Sequence, residues 1–432
     1  MSETTITAPE NEVGKPPAGA RIPGPTRGPG PRWLRPVLLG LTALVVLVIP
    51  LYLEAYWLQL GFLIAALAVG AIGLNLLTGT TGQLSLAHPF FMGLGALSYV
   101  VLAGEPAETS LGPVIGFNWP PFLAMIGGVV LAGLAGLLFS PVSARLRGLY
   151  LGAASLALVF IGLHVLNSAQ PLSGGYNGRP APEFSILGLS FGGAEEPPVV
   201  LGVAMGRAEL QWYLGAAVLV LAMWFAKNIL KSRVGRALKL IDGDPLAASV
   251  VGVPVMQYKG KVFFLSSVYA GLAGVMYALA IGSIAPQSFD MGLSLDYLAI
   301  IVIGGLGSVG GAVAGAAFVT GLPQVLQNFA PQLGFLDALG LTTAHLANFI
   351  YGAAIIAVLL FKPDGLAGIW RDVASAVRRR PNRQATRVSP GDRGLPGASP
   401  TDDSADAADT TGHGRPGDIP GAPGPSTATD SP

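Results

Sequence analysis

Gly305-Leu306-Gly307-Ser308-Val309-Gly310 has the G-x-G-x-x-G spacing of a dinucleotide-phosphate cradle, and the strand-like run Ala299-Ile300-Ile301-Val302-Ile303 precedes it. A dinucleotide site also needs a βαβ unit and an acid about 20 residues downstream. Positions 325 to 332 hold no acid, and both flanks are long apolar runs. Close helix packing explains the glycines better: Gly307, Gly311 and Gly315 form two G-x-x-x-G steps, which expose a smooth backbone face to a neighbouring helix. A pore-side helix break at Gly304 to Gly311 is the other reading. The only Gly-Lys pairs are Gly14-Lys15-Pro16 and Gly260-Lys261-Val262, so no Walker A loop is present and the chain is not expected to hydrolyse ATP. Ser308 with His345 is the one conceivable nucleophile pair, for intramembrane hydrolysis, but a Ser beside Gly in an apolar helix is ordinary packing. Cysteine is absent, which removes disulfides and thiolate metal ligands, and no cofactor is implied. Asn75, Gln83, Ser85 and His88 cluster within 14 positions of an otherwise apolar stretch. They read either as lining of a polar path or as hydrogen-bonding glue between helices.

The elements that must position these groups are set by the charge distribution. Residues 37 to 362 carry 12 Lys/Arg and 12 Asp/Glu, far too few for a water-facing shell, where about a quarter to a third of the surface is ionic. The remaining 25 charges lie in the two tails. Soluble enzymes are thereby excluded, and the net charge of +1 gives no basic footprint for nucleic acid. About twenty apolar residues cross a bilayer as a helix, which satisfies its own backbone where water cannot. Ten candidate spans follow, near 35 to 53, 57 to 78, 84 to 103, 121 to 140, 148 to 168, 211 to 228, 259 to 281, 293 to 305, 309 to 328 and 344 to 362, with eight as the fallback. The second and third are parted only by Gly79-Thr80-Thr81-Gly82. The expected class is an all-α polytopic membrane protein with Gly-broken segments. Residues 1 to 34 form a polar arm too long and mixed for a signal n-region, so the first apolar run is expected to remain as an anchor. The tail from 383 to 432 is Pro, Gly, Ser, Asp and Thr and cannot bury enough surface to fold.

Ten of the twelve basic residues in the apolar region fall on one side of these spans, which the positive-inside bias makes the cytoplasm of a cell (inner) membrane, with both termini there. The opposite side receives Arg179 and Arg207 with ten acids, including Glu105, Asp290 and Asp337. Residues 169 to 210 are then an external loop, and 231 to 252 a cytoplasmic helix in which Val234, Leu238 and Ile241 recur at helical spacing beside Arg236 and Lys239. Such a helix docks a partner or lies on anionic lipid. No acid or Lys falls well inside a span, against the habit of ion-coupled carriers, which keep a costly charge in the membrane for function.

Five stretches, in order, carry a resemblance. Gly73-Leu74-Asn75-Leu76-Leu77-Thr78-Gly79-Thr80-Thr81-Gly82-Gln83-Leu84-Ser85-Leu86-Ala87-His88 comes first, then Ser173-Gly174-Gly175-Tyr176-Asn177-Gly178, Gly235-Arg236-Ala237-Leu238, Ile303-Gly304-Gly305-Leu306-Gly307-Ser308 and Phe361-Lys362-Pro363-Asp364-Gly365-Leu366. Together they resemble the membrane-spanning subunits of branched-chain amino acid ABC importers of the LivM type, over about residues 35 to 370. That resemblance implies a permease similar to the ten-helix, type II-like importers. It also implies pairing with a second permease subunit, two cytoplasmic ATPase subunits and an extracytoplasmic solute-binding protein. It places the ATPase-coupling segment at Asp242, Asp244, Pro245, Ala247, Ala248 and Gly252, with Leu246 standing where the family pattern has Glu. The translocation path is then expected at Asn75, Gln83, Ser85, His88, Gly305, Gly307 and Ser308. Related permeases move urea or short amides, and an ion-coupled secondary transporter is the remaining alternative.

Overall fold

The computed structural model describes residues 40–41, 44–109, 112–146, 148–186, 189–191, 199–200, 203–329 and 349–368, the last with gaps at 354, 357, 359 and 361–364. The N-terminal arm, the C-terminal tail, Asp337, His345 and Phe361-Lys362-Pro363-Asp364 lie outside these. Ten helices of six residues or more can be numbered: α1 Ala55–Thr81, α2 His88–Ala103, α3 Pro121–Arg145, α4 Leu149–Ser168, α5 Arg207–Lys231, α6 Arg233–Gly243, α7 Pro245–Val250, α8 Val255–Ile281, α9 Met291–Gly304 and α10 Val309–Phe329. Six of them, α1, α3, α4, α5, α8 and α10, are long and apolar enough to cross a membrane. The shorter α2 and α9 occupy the third and eighth expected spans. The first and tenth are helical where described, at 40–48 and 349–360. Residues around 46–47 are tied to α5, whose Trp212 Nε1 and Tyr213 hydroxyl donate to Val46 O and Leu47 O.

Two sequence expectations change. The chain is not wholly helical, because short antiparallel pairs punctuate the connections between helices: Ala107–Thr109 with Gly112–Val114, Arg179–Pro180 with Ser283–Ile284, and two more between 185 and 204. The 231 to 252 segment, expected as one helix, is two, because Asp244 leaves the helical region and its carboxylate caps α7 at the Leu246 N–H.

Two long helices organise the rest. α1 and α8 each have 27 residues and each end on a glycine in the left-handed conformation, Gly82 at φ 64° and Gly282 at φ 81°. Each is followed by a stretch without α-helix, a shorter helix and another long one; the stretch after α8 includes a short 3-10 turn at Pro286–Phe289. α1 and α8 cross antiparallel, with Gln59 Nε2 donating to Ala280 O at one end and Gly73 against Tyr269 further along. α3 packs on α8 as α10 packs on α1, and α2 packs on α3 as α9 packs on α10. The same three-helix unit therefore occurs twice, inverted about the α1–α8 crossing, an arrangement shared with many transporters. The true counterpart of the first break is thus 283–290, which follows α8; Gly305 to Ser308 is instead the turn between α9 and α10.

Glycine permits these crossings. A Cβ on Gly274 of α8 would overlap the Met92 carbonyl of α2, whereas Gly310 of α10 has open space around it. Gly274→Val is expected to lower the thermal midpoint of the detergent-solubilised protein, at about 1 to 3 kcal/mol for overpacking. Gly310→Ala should leave it unchanged, and equal midpoints for the two would contradict the packing described.

Candidate functional site

The first break lies later than the sequence suggests. α1 continues through Gly79 to Thr81, its threonines bonded back to Leu76 O and Leu77 O, and ends at Gly82, whose N–H donates to Thr78 O at 3.1 Å. Residues 82–87 are non-helical. Four helices hold this stretch. Thr78 of α1 donates to Gln83 O at 3.1 Å, Ser143 of α3 to Gln83 Oε1 at 3.3 Å, and Ser294 of α9 to Leu86 O at 2.9 Å. Ser155 of α4 accepts from the Leu86 N–H at 2.8 Å. Three of these partners, Ser143, Ser155 and Ser294, are serines in apolar helices that no spacing in the sequence marks.

Gln83, Ser85 and His88 are all buried, as is Asn75. His88 opens α2, and its ring lies 4.8 Å from that of Tyr297 on α9. Gln83 Nε2, His88 Nε2 and the Tyr297 hydroxyl are buried with no hydrogen-bond partner among the described residues. Such atoms are uncommon in a settled interior, and each costs about 1 to 3 kcal/mol.

The second break is a tight turn. Gly305 and Gly307 take positive φ, 105° and 74°. Ser308 Oγ accepts from the Gly311 N–H at 3.1 Å and so caps the start of α10. Asn75 of α1 fills the turn from below: its Nδ2 donates to Ser308 O at 2.9 Å and Gly305 O at 3.4 Å, and its Oδ1 accepts from the Gly307 N–H at 2.8 Å. A Cβ on Gly79 would overlap Gly307 N. The hydrogen-bonding role considered for Asn75 is therefore present in the structure, and one side chain ties α1 to the turn between α9 and α10. Gly307 is not part of a helical G-x-x-x-G face, because it sits in the turn; Gly304 with Gly311 and Gly315 makes the close α9–α10 contact. Ser308→Ala should cost about 1 kcal/mol of stability. A serine-directed fluorophosphonate is expected to leave Ser308 unlabelled, and labelling would revive the hydrolase alternative.

Beneath the first break lies the helix pair α6–α7. α6 buries Gly235, Leu238 and Ile241 and exposes Arg236, Lys239 and Asp242. The Asp242 carboxylate lies 3.2 Å from where a Gly82 Cβ would stand. In α7 only Ala248 is buried, while Leu246, Val250 and Val251 are strongly exposed. Ala247 is exposed too, Pro245 is partly buried, and Gly252 follows at φ 83° with nothing near it. Lys259, counted among the basic residues of this side, is buried at the start of α8.

At the opposite end, Gly174, Gly175 and Gly178 all take positive φ and turn the chain so that Arg179 points inward. Arg179 donates to Ile115 O at 2.7 Å and Leu172 O at 3.1 Å, and burial lowers its pKa from the usual guanidinium value. It lines a cavity of about 370 Å³ together with Glu105, Asn177 and Pro182. No group of three His, Cys, Asp or Glu able to hold a metal occurs among the described residues.

Residues 56–359 match the family model described as the permease component of branched-chain amino acid transport systems. The high-affinity branched-chain amino acid transport system permease protein LivM of Escherichia coli is 25% identical over 362 residues, 79% of each chain. That of Salmonella typhimurium is 27% identical over 310 residues, 69% of this chain and 67% of the relative. The galactose/methyl galactoside import permease protein MglC of Salmonella typhimurium is 29% identical over 214 residues, about half of each chain. No solved structure matches.

Proposed function

Because the chain belongs to the permease component family of branched-chain amino acid transport systems, we propose that it is one of two membrane subunits of an ATP-driven importer and that its cargo is a branched-chain amino acid. A related second permease subunit, two cytoplasmic ATPase subunits and an external solute-binding protein complete the machine. Ten spans with both termini cytoplasmic fit the six long helices, the two shorter ones and the partly described ends. The two LivM relatives support the cargo, and each aligns over about two thirds or more of both chains; the sugar permease aligns over only half.

One observation carries the mechanism: the exposed helix pair α6–α7 and both breaks meet at the same end of α1. ATPase closure moves Asp244 to Gly252, the displacement reaches Gly82 through Asp242, and Asn75 passes it to the turn at 305–308. The path opens and closes around Gln83, Ser85, His88, Gly305, Gly307 and Ser308. The buried but unpaired Gln83 Nε2, His88 Nε2 and Tyr297 hydroxyl support a second conformation in which they find partners. A mobile joint retains such groups at a cost that a fixed core would not. The chain itself makes and breaks no covalent bond.

The test is uptake into proteoliposomes containing both permease subunits, the ATPases and the binding protein. Labelled leucine, isoleucine or valine is expected to accumulate on ATP addition, with excess galactose, urea or acetamide failing to compete. Competition by any of those three would overturn the cargo assignment.

A further inference from the structure

At the end of α3 that faces α6–α7, a groove of about 670 Å³ runs between α3 and the start of α8. Its floor is close backbone packing, where a Cβ on Gly260 would overlap Ser140 Oγ. Its polar lining is Lys261, Gln257, Ser249 and Ser140, and no acid lines it. Lys261 Nζ stands 5.6 Å from the centre of the Tyr258 ring. Arg145, exposed in the last turn of α3, follows the lining residue Ala144 directly. The first turn of α8, which has no side-chain cap, forms one wall. Pro141 in the opposite wall has no N–H, so the Leu137 carbonyl at the groove lacks its helical donor.

An apolar track leaves this groove, which is itself mostly apolar apart from its lysine, glutamine and serines. Ile126, Val130, Leu134 and Leu137 are exposed along one stripe of α3, each three or four residues from the next. At 1.5 Å per residue the stripe is about 16 Å long, close to half of the roughly 30 Å hydrocarbon thickness. A single acyl chain spans that depth. Cationic pocket and leaflet-deep stripe together have the two-part shape of one amphiphile with an acidic head.

We infer that this groove binds an anionic phospholipid of the cytoplasmic leaflet, its phosphate at Lys261 and Arg145 and an acyl chain along the α3 stripe. The inference rests on the orientation proposed above, which puts α6–α7 in the cytosol. Ser249 of α7 lines the same groove, so the lipid is wedged against the segment assigned to ATPase docking. Anionic lipid would then hold that segment in place. Basic pockets between helices on this side suit such headgroups, and one Lys near the surface is worth about a fivefold change in binding.

The assembled importer, in nanodiscs containing phosphatidylglycerol, is exposed to phosphatidylglycerol carrying a diazirine in its acyl chain, and to the phosphatidylcholine equivalent. The expected result is labelling of residues 126–141 and 253–264 by the anionic probe, reduced about fivefold in Lys261→Gln and further in Lys261→Gln with Arg145→Gln. Equal labelling by both probes, labelling indifferent to Lys261→Gln, or labelling seen only in the isolated subunit would each overturn the assignment; the last would mean that a protein partner fills the groove. Co-purification of the ATPase subunits and labelling of Ser249→Cys by an impermeant maleimide in inside-out vesicles are read in parallel. If those fail while anionic labelling persists, the orientation is wrong and the lipid site stands.

Discussion

Asn75→Ala is expected to reduce ATP-driven uptake by the assembled importer at least tenfold. The side chain is buried and makes three hydrogen bonds to the turn between α9 and α10. Truncation leaves the Gly307 N–H without its acceptor, at about 1 to 3 kcal/mol for a buried unpaired group, while Ser308 O keeps the Ala312 N–H and Gly305 O keeps the Ser308 N–H. The two conformations of such a machine differ by only a few kcal/mol, so a loss of this size releases the second break from the first. The thermal midpoint should fall as well, and uptake of every accepted amino acid should fall together. If Asn75 acts only by lining the path, the midpoint would hold and the cargoes would be affected unequally. Asn75→Ala with unchanged uptake and unchanged midpoint would remove the latch from the mechanism.

Substituting the exposed face of α7 is expected to have an effect as large. Leu246 and Val250 stand in solvent although they are apolar, and an exposed apolar patch beside charged residues marks an interface. Leu246→Asp with Val250→Asp should leave membrane insertion and the thermal midpoint intact, abolish co-purification of the ATPase subunits, and cut uptake to background. Gly252→Trp should likewise abolish ATPase co-purification and uptake through bulk beside the docking face, but its backbone is in the left-handed region, so any side chain there also adds strain. Gly252→Ala separates the two effects: it carries the strain with almost no bulk and is expected to retain most uptake. Retained ATPase binding in the double Asp variant would exclude α7 as the docking element.

Much of this organisation was legible in residue types. Lack of charge between 37 and 362 and the length of the apolar runs fix a membrane protein and the places of its long helices, because an unsatisfied backbone has no alternative in hydrocarbon. The helix break was legible to within a few residues from the glycines at 79 and 82. The sequence reading placed it too early, because Thr80 and Thr81 bond back to their own helix and carry α1 one turn further. Asp244 was readable as an acid but not as the cap that splits one amphipathic helix into two. What no spacing could reveal is the set of partners far apart in the chain. Ser143, Ser155 and Ser294 meet the segment after Gln83 from three helices, and Asn75 meets residues more than 200 positions away. The inverted repeat was equally hidden, since its two copies share helix lengths and left-handed glycine ends rather than residues. The Gly305 to Gly310 cradle shows the converse, a familiar spacing whose glycines serve a turn and a helix contact.

On the proposed function, this subunit is a conduit driven from the cytosol by separate ATPase subunits. The most direct test of that role is uptake by sealed proteoliposomes holding both permease subunits, with external binding protein and leucine, prepared with and without the ATPase subunits. ATP inside or outside and imposed proton or sodium gradients are varied in turn. Concentrative uptake is expected only with the ATPases and with ATP on their side of the membrane. Accumulation by the permease subunits alone, under either ion gradient, would contradict it.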